Sequence, residues 1–304
     1  MYIVDFIKSL GRKSNIPTII YLILNVFFIG IFICVAFSLP DWKGFLIGIG
    51  VYAISLTLAL SPIGEFILRV QTRCKAFSIL GMEEKVRPLF SEVYTLAKEK
   101  DPSIRDDIAL FYIDDECPNA FALGRKTVCL TKGMLQMPPE QIKAALGHEF
   151  GHLAHKDTDI ILLISVGNLL VNIIVFGIRL VLELFFGVIM IFTTLLKILD
   201  FGLSELITKF ARTITMAVTS LLLWLWTKIG VLLVMKSRRS NEYEADKFSY
   251  DLGYGRDLCL LLNNLGNVKA KGIFSNFVAS HPKTGLRIEK LKQLENKEVL
   301  GNEY

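Results

Sequence analysis

Two histidines one helical turn apart, with a glutamate beside the first, are the residues of this chain best suited to chemistry: His148-Glu149-Phe150-Gly151-His152. On a helix, positions i and i+4 are neighbours with Cβ atoms roughly 5–6 Å apart. Both imidazoles can then reach one Zn²⁺ at about 2.0–2.1 Å. Glu149 stands where it can accept a proton from water activated by that metal. The pattern supplies two ligands and a base, and it needs a third ligand from elsewhere. Only four histidines occur in the chain and three fall between positions 148 and 155, a concentration that favours a metal site over a packing coincidence.

His155 continues the row but lies about 10 Å along the axis from His148, too far for one ion to bind both. Its expected role is packing or capping. The better third ligand is Glu242, in Asn241-Glu242-Tyr243-Glu244-Ala245-Asp246. Glu242 and Asp246 share a helix face, while Glu244 points elsewhere. A glutamate would complete a two-histidine, one-glutamate site for one Zn²⁺ per chain, with a fourth position open. Asp246 could then hold the ring N–H of a ligating histidine.

The elements that must position these residues are mostly helical. Hydrophobic residues make up 52% of the chain and mean hydropathy is +0.48, which is too apolar for a soluble domain of this size and points to membrane spans. The net charge of +5 fits basic residues flanking those spans. No basic run interleaves with aromatics, so nucleic acid is not an expected partner. The five cysteines are scattered without a C-x-x-C and read as small hydrophobes in a reducing compartment.

Four stretches are expected to organise the chain. Residues 1–69 form a membrane hairpin with spans at 16–39 and 45–64. Residues 70–158 are the first part of a catalytic core: a helix at 82–100, strands at 108–113 and 127–131, an edge strand or loop at 117–124, and the histidine helix starting at Pro138-Pro139. Residues 159–235 are a membrane insertion, with spans at 160–178 and 213–228 and an interfacial or re-entrant piece at 180–212. Residues 236–304 return as the second part of the core, with helices near 241–252 and 257–267 and from Pro282. Basic residues before and after the hairpin, and at 236–239, place both termini and the site on the cytoplasmic side. His148 lies 12 residues before the third span and Glu242 lies 14 after Lys228. Helices running on from the membrane would carry both about 20 Å beyond its surface, at one height.

His148–His152 with Asp157, Asn119–Ala122, Glu242–Asp246 and His281-Pro282 with Arg287 together resemble the HtpX family of membrane zinc endopeptidases. The likeness runs over most of the chain. It departs at Arg238 and Lys283, where the family more often has serine and proline. The resemblance implies an α+β, mainly helical, gluzincin-type protein: an integral membrane protein with about four transmembrane helices and a cytoplasmic protease core. It implies His148, His152 and Glu242 as zinc ligands and Glu149 as base, with His281 stabilising the tetrahedral intermediate. Asp246, Asp157, Arg239 and Arg287 would support the site. Asn119, Ala120, Phe121 and Ala122 would pair with the substrate backbone as an added strand. The implied role is quality control of misfolded or damaged membrane proteins in the inner membrane, as part of a stress response. The alternatives are a CAAX-type prenyl-protein protease, which has more spans around a chamber, and a silent membrane scaffold, which has no need of Glu149.

Overall fold

A computed structural model describes residues 6–7, 10–11, 15–77, 83–156, 158–165, 169–196, 203–265 and 284–301. The chain divides into two units. One comprises Tyr21–Ser55 with Gly167–Leu233; the other comprises Met1–Ile20, Leu56–Val166 and Val234–Tyr304.

Among the described residues, four helical stretches are long and apolar enough to cross a membrane: Ile16–Phe37, Asp41–Ala59, Asn172–Leu195 and Leu203–Trp226. The first two are helices α1 (Ile16–Phe37) and α2 (Asp41–Ala59), tied by a hydrogen bond from Asn25 Nδ2 to Tyr52 Oη at 3.0 Å. Helix α2 ends five residues before the apolar run does. Ser61 stops it by capping the next helix, α3 (Pro62–Gln71), its hydroxyl accepting from the N–H groups of Ile63 and Gly64 while Pro62 enters the first turn.

The later spans are placed differently from the sequence expectation. The described residues of 160–178 fall on α7 (Thr158–Ser165) and α8 (Leu169–Leu196). The apolar window is Asn172–Leu195, so residues 180–195 of the stretch assigned to the interface lie within it. Glu183, a charge inside this window, is paired with Arg212, whose Nε lies 2.9 Å from Glu183 Oε2. An intramembrane carboxylate with a guanidinium partner is far less costly than a lone one. Helix α9 (Leu203–Ser249) then runs without a break from the fourth apolar stretch through Glu242.

The core unit is built on a four-stranded sheet of β1 (Lys75–Ala76), β2 (Ala109–Ile113), β3 (Ala120–Leu123) and β4 (Thr127–Thr131), in spatial order β1-β2-β4-β3. β2 and β4 are parallel and the outer pairs are antiparallel. Every residue of β4 is buried, as its β-branched, apolar run requires for a central strand. β3 is an edge.

This unit also holds α3, α4 (Glu83–Lys100), the short α5 (Lys132–Leu135), α6 (Pro139–His155), α7, the end of α9 from Val234, α10 (Gly255–Leu265) and α11 (Thr284–Gly301). Helix α6 is its axis and is buried on nearly every face from Gln141 to Ala154. Phe150 packs at a tilt against the rings of Phe90 and Tyr94 of α4, and Leu146 shares the core with Leu130, Leu258 and Leu291. α6 ends at Lys156, which takes a left-handed conformation at φ 61° and caps the last turn. It therefore does not continue straight into the next apolar segment, as the height argument assumed; α9 alone runs on. Past Ser249 a wide turn, Tyr250–Tyr254, kinks the chain at Gly253, whose φ is 91°, a conformation for which glycine has no steric penalty.

Candidate metal centre

Helices α6 and α9 meet closely within the core unit. Ser249 Oγ donates to the Ala144 carbonyl at 2.9 Å, and Gly151 faces Ala245 so tightly that a Cβ there would lie 2.8 Å from Ala245 Cα. Both contacts depend on small residues along α6. They bring Glu242, three residues before Ala245, opposite the histidine pair.

Three side chains bring their donor atoms together there. His148 Nε2 lies 3.2 Å from His152 Nε2 and 3.4 Å from Glu242 Oε2, and His152 Nε2 lies 3.6 Å from Glu242 Oε1. Tetrahedral ligands with bonds of about 2.0–2.1 Å sit about 3.4 Å from one another. The spacing, the burial of all three residues and the nitrogen–nitrogen–oxygen donor set fit a zinc ion. Glu244 is exposed and cannot take part. His155 instead sets its ring edge-on to Phe248 with centroids 6.2 Å apart.

Around the donors lies a charged second layer. Asp246 Oδ1 is 2.9 Å from His148 Nδ1, which orients the ring and turns the Nε2 lone pair of the neutral imidazole inward. Arg287, on α11, grips the same carboxylate through Nε at 2.7 Å and through Nη2, and its Nη1 lies 3.6 Å from Glu242 Oε2. Burial raises the Asp246 carboxyl pKa, but Arg287 and His148 more than reverse this and hold it at about 2. Burial and the Arg287 guanidinium lower the His148 pKa, yet Asp246 and Glu242 overcome both and lift it to about 9. The pocket's negative charge thus favours a cation at Nε2, whether a proton or a metal.

Glu149 is buried beside this group, and its Oε2 accepts the Ala122 backbone N–H at 2.7 Å. The register of β3 explains the contact. Asn119 is tied to Thr131 through both its N–H and its carbonyl. Antiparallel alternation then directs Phe121 and Leu123 toward β4 and leaves the backbone groups of Ala120 and Ala122 facing outward. Of the residues expected to meet substrate, these two present the edge, while the Asn119 backbone is committed to the sheet. Asp157 and His281 lie outside the described residues, as does the Arg239 side chain.

The model of peptidase family M48 matches residues 84–295. The chain belongs to peptidase family M48. Its matches include a Protease HtpX homolog of Thermoplasma acidophilum, 30% identical over 39% of this chain and 41% of that one. Another is Protease HtpX homolog 2 of Sulfurisphaera tokodaii, 38% identical over 26% of each chain. The alignments therefore span less than half the length of these M48 relatives. Among solved structures, that of S. mikatae Ste24p aligns with 95% of this chain and 65% of its own at a TM-score of 0.40 and 19% identity.

Proposed function

We propose that this M48 protein is a membrane-embedded zinc endopeptidase that hydrolyses peptide bonds of unfolded or damaged membrane proteins on the cytoplasmic side. The observation that carries the reading is the convergence of His148 Nε2, His152 Nε2 and Glu242 at metal-ligand spacing, with the Glu149 carboxylate beside them. In this reading His148, His152 and Glu242 hold the ion, and Asp246 and Arg287 fix His148 and Glu242.

Bound zinc supplies a Lewis acid that acidifies water and polarises a peptide carbonyl. Glu149 takes the proton of the attacking water and returns it to the leaving amine as the C–N bond breaks. The Ala122 N–H orients Glu149 before substrate arrives. An extended substrate adds to the β3 edge, pairing with the outward backbone groups of Ala120 and Ala122 rather than those of Asn119 and Phe121. His281 as a donor to the developing oxyanion, and Asp157 and Arg239 as supports, are carried by the HtpX resemblance alone. So are the stress-response role and the inner-membrane location. Basic residues after the hairpin, Arg69, Arg73 and Lys75, support the cytoplasmic orientation.

The test compares zinc-loaded wild type and Glu149→Gln in detergent on an unfolded casein substrate. Wild type is expected to cut the chain internally. Glu149→Gln is expected to keep its zinc and lose roughly 10³-fold in rate, the scale of a general base. Equal turnover by the two proteins would remove the mechanism, and a zinc-loaded wild type that leaves casein intact would favour a scaffold.

A further inference from the structure

A second buried charge cluster in the core unit takes no part in the chemistry above. Glu65, on α3, is 1% exposed. Its Oε2 accepts the Arg125 backbone N–H at 3.1 Å, and its Oε1 accepts the Lys126 N–H at 3.1 Å and the Thr127 hydroxyl at 2.6 Å. These residues, with Gly124, make the turn that joins β3 to β4. Gly124 takes φ 56°, and the Glu65 carboxylate fills the space a Cβ would need there.

The turn is gripped from α7 as well. The Thr158 hydroxyl donates to the Gly124 carbonyl. Asp159 receives the Arg125 guanidinium through both oxygens, at 3.1 and 2.6 Å, with both side chains buried.

A buried carboxylate is a poor way to add stability, because its desolvation offsets most of what its partners return. What it does well is fix geometry. Ala122 lies two residues before Gly124, and its N–H meets Glu149 at 2.7 Å. The four-residue strand β3 has its far end tied at Asn119–Thr131 and its near end held through the Glu65 turn. A slip of one residue would reverse which backbone groups face outward.

We propose that Glu65 is a positioning residue for substrate: by clamping the β3–β4 turn it holds the edge of β3 in register with Glu149, so that an extended polypeptide pairs with Ala120 and Ala122 beside the base. The occupant rests on the endopeptidase reading above; the clamp itself rests on the contacts of Glu65. Substitution at Glu65 weakens polypeptide binding and leaves the metal donors on α6 and α9 in place.

The experiment uses the full chain in detergent as wild type, Glu65→Ala and Glu65→Gln, each also in the Glu149→Gln background, with fluorescein-labelled unfolded casein as the probe. Cleavage gives KM and kcat, anisotropy on the Glu149→Gln proteins gives Kd, and metal analysis gives zinc content. Glu65→Ala is expected to raise KM and Kd roughly tenfold, about 1.4 kcal/mol, with kcat within about twofold of wild type and zinc unchanged. Glu65→Gln keeps one acceptor oxygen and is expected to shift both constants about threefold. Unchanged KM and Kd in Glu65→Ala, with only folded yield reduced, would overturn the proposal. If that variant does not fold, Glu65→Gln decides by the same two constants. A wild type that binds casein without cutting it ends the endopeptidase reading and leaves Kd to judge Glu65. One that neither binds nor cuts overturns both.

Discussion

The contact between α6 and α9 can be tested at one atom. Replacing Gly151 by alanine puts a methyl group 2.8 Å from Ala245 Cα, 3.0 Å from Phe248 Cβ and 3.2 Å from Ala245 Cβ, where ordinary contact begins at 3.4 Å. Two of these atoms belong to residue 245, so rotating a side chain cannot relieve the clash. Helix α9 must recede by about 0.6 Å at that point, and Glu242 recedes with it. Metal sites tolerate about 0.2 Å in ligand distance. Gly151→Ala is therefore expected to cost about 1–3 kcal/mol in overpacking, drawn from the fold, from zinc affinity, or from both. The assay pairs thermal unfolding with zinc retention during dialysis against a dilute chelator, and the expected loss of affinity is roughly 10–100-fold. Gly285→Ala is the control, since nothing among the described residues lies within 4 Å of its Cβ position; it is expected to be neutral or stabilising by up to about 1 kcal/mol. Zinc retention and melting temperature equal to wild type in Gly151→Ala would refute this reasoning.

Asp246→Asn removes the charge that holds both Arg287 and His148, and zinc affinity is expected to fall about 10–100-fold in a chelator competition; an unchanged affinity would mean the carboxylate does not support the ligand. The His148 imidazole, with a pKa lifted to about 9, carries a proton at neutral pH that zinc must displace. Apparent zinc affinity is therefore expected to rise with pH, about tenfold per unit, and to level off above about pH 9; a flat profile between pH 6.5 and 8.5 would contradict it. In the membrane unit, Glu183→Leu and Arg212→Leu are each expected to lower the melting temperature by stranding the partner charge, and the double substitution to recover most of the loss. Additive losses would show that the pair is not coupled.

The site was more legible in sequence than the membrane insertion. His148, Glu149 and His152 declare themselves by spacing, and Glu242 with Asp246 by sharing one helix face, because local helical periodicity carries both patterns. The strands at 109–113 and 127–131 follow equally from β-branched runs. The insertion was harder to read: Glu183 interrupts an apolar run, and the arginine that pairs with it is 29 residues away. The two-residue strand β1 has too little pattern to see. Nothing local in the sequence marks Glu65, a single charge after an apolar run; its burial depends on a turn 60 residues later. Gly151 filled a variable position of the motif, and only the proximity of Ala245 explains why it is glycine.

The central claim is that Glu242, brought from beyond the membrane insertion, completes a zinc site with the two histidines of α6. Metal content of the purified wild type, Glu149→Gln and Glu242→Ala proteins after exhaustive dialysis tests it most directly. Stoichiometric zinc is expected in the first two and none in the third. Full zinc in Glu242→Ala, or none in wild type purified with zinc present, would contradict it.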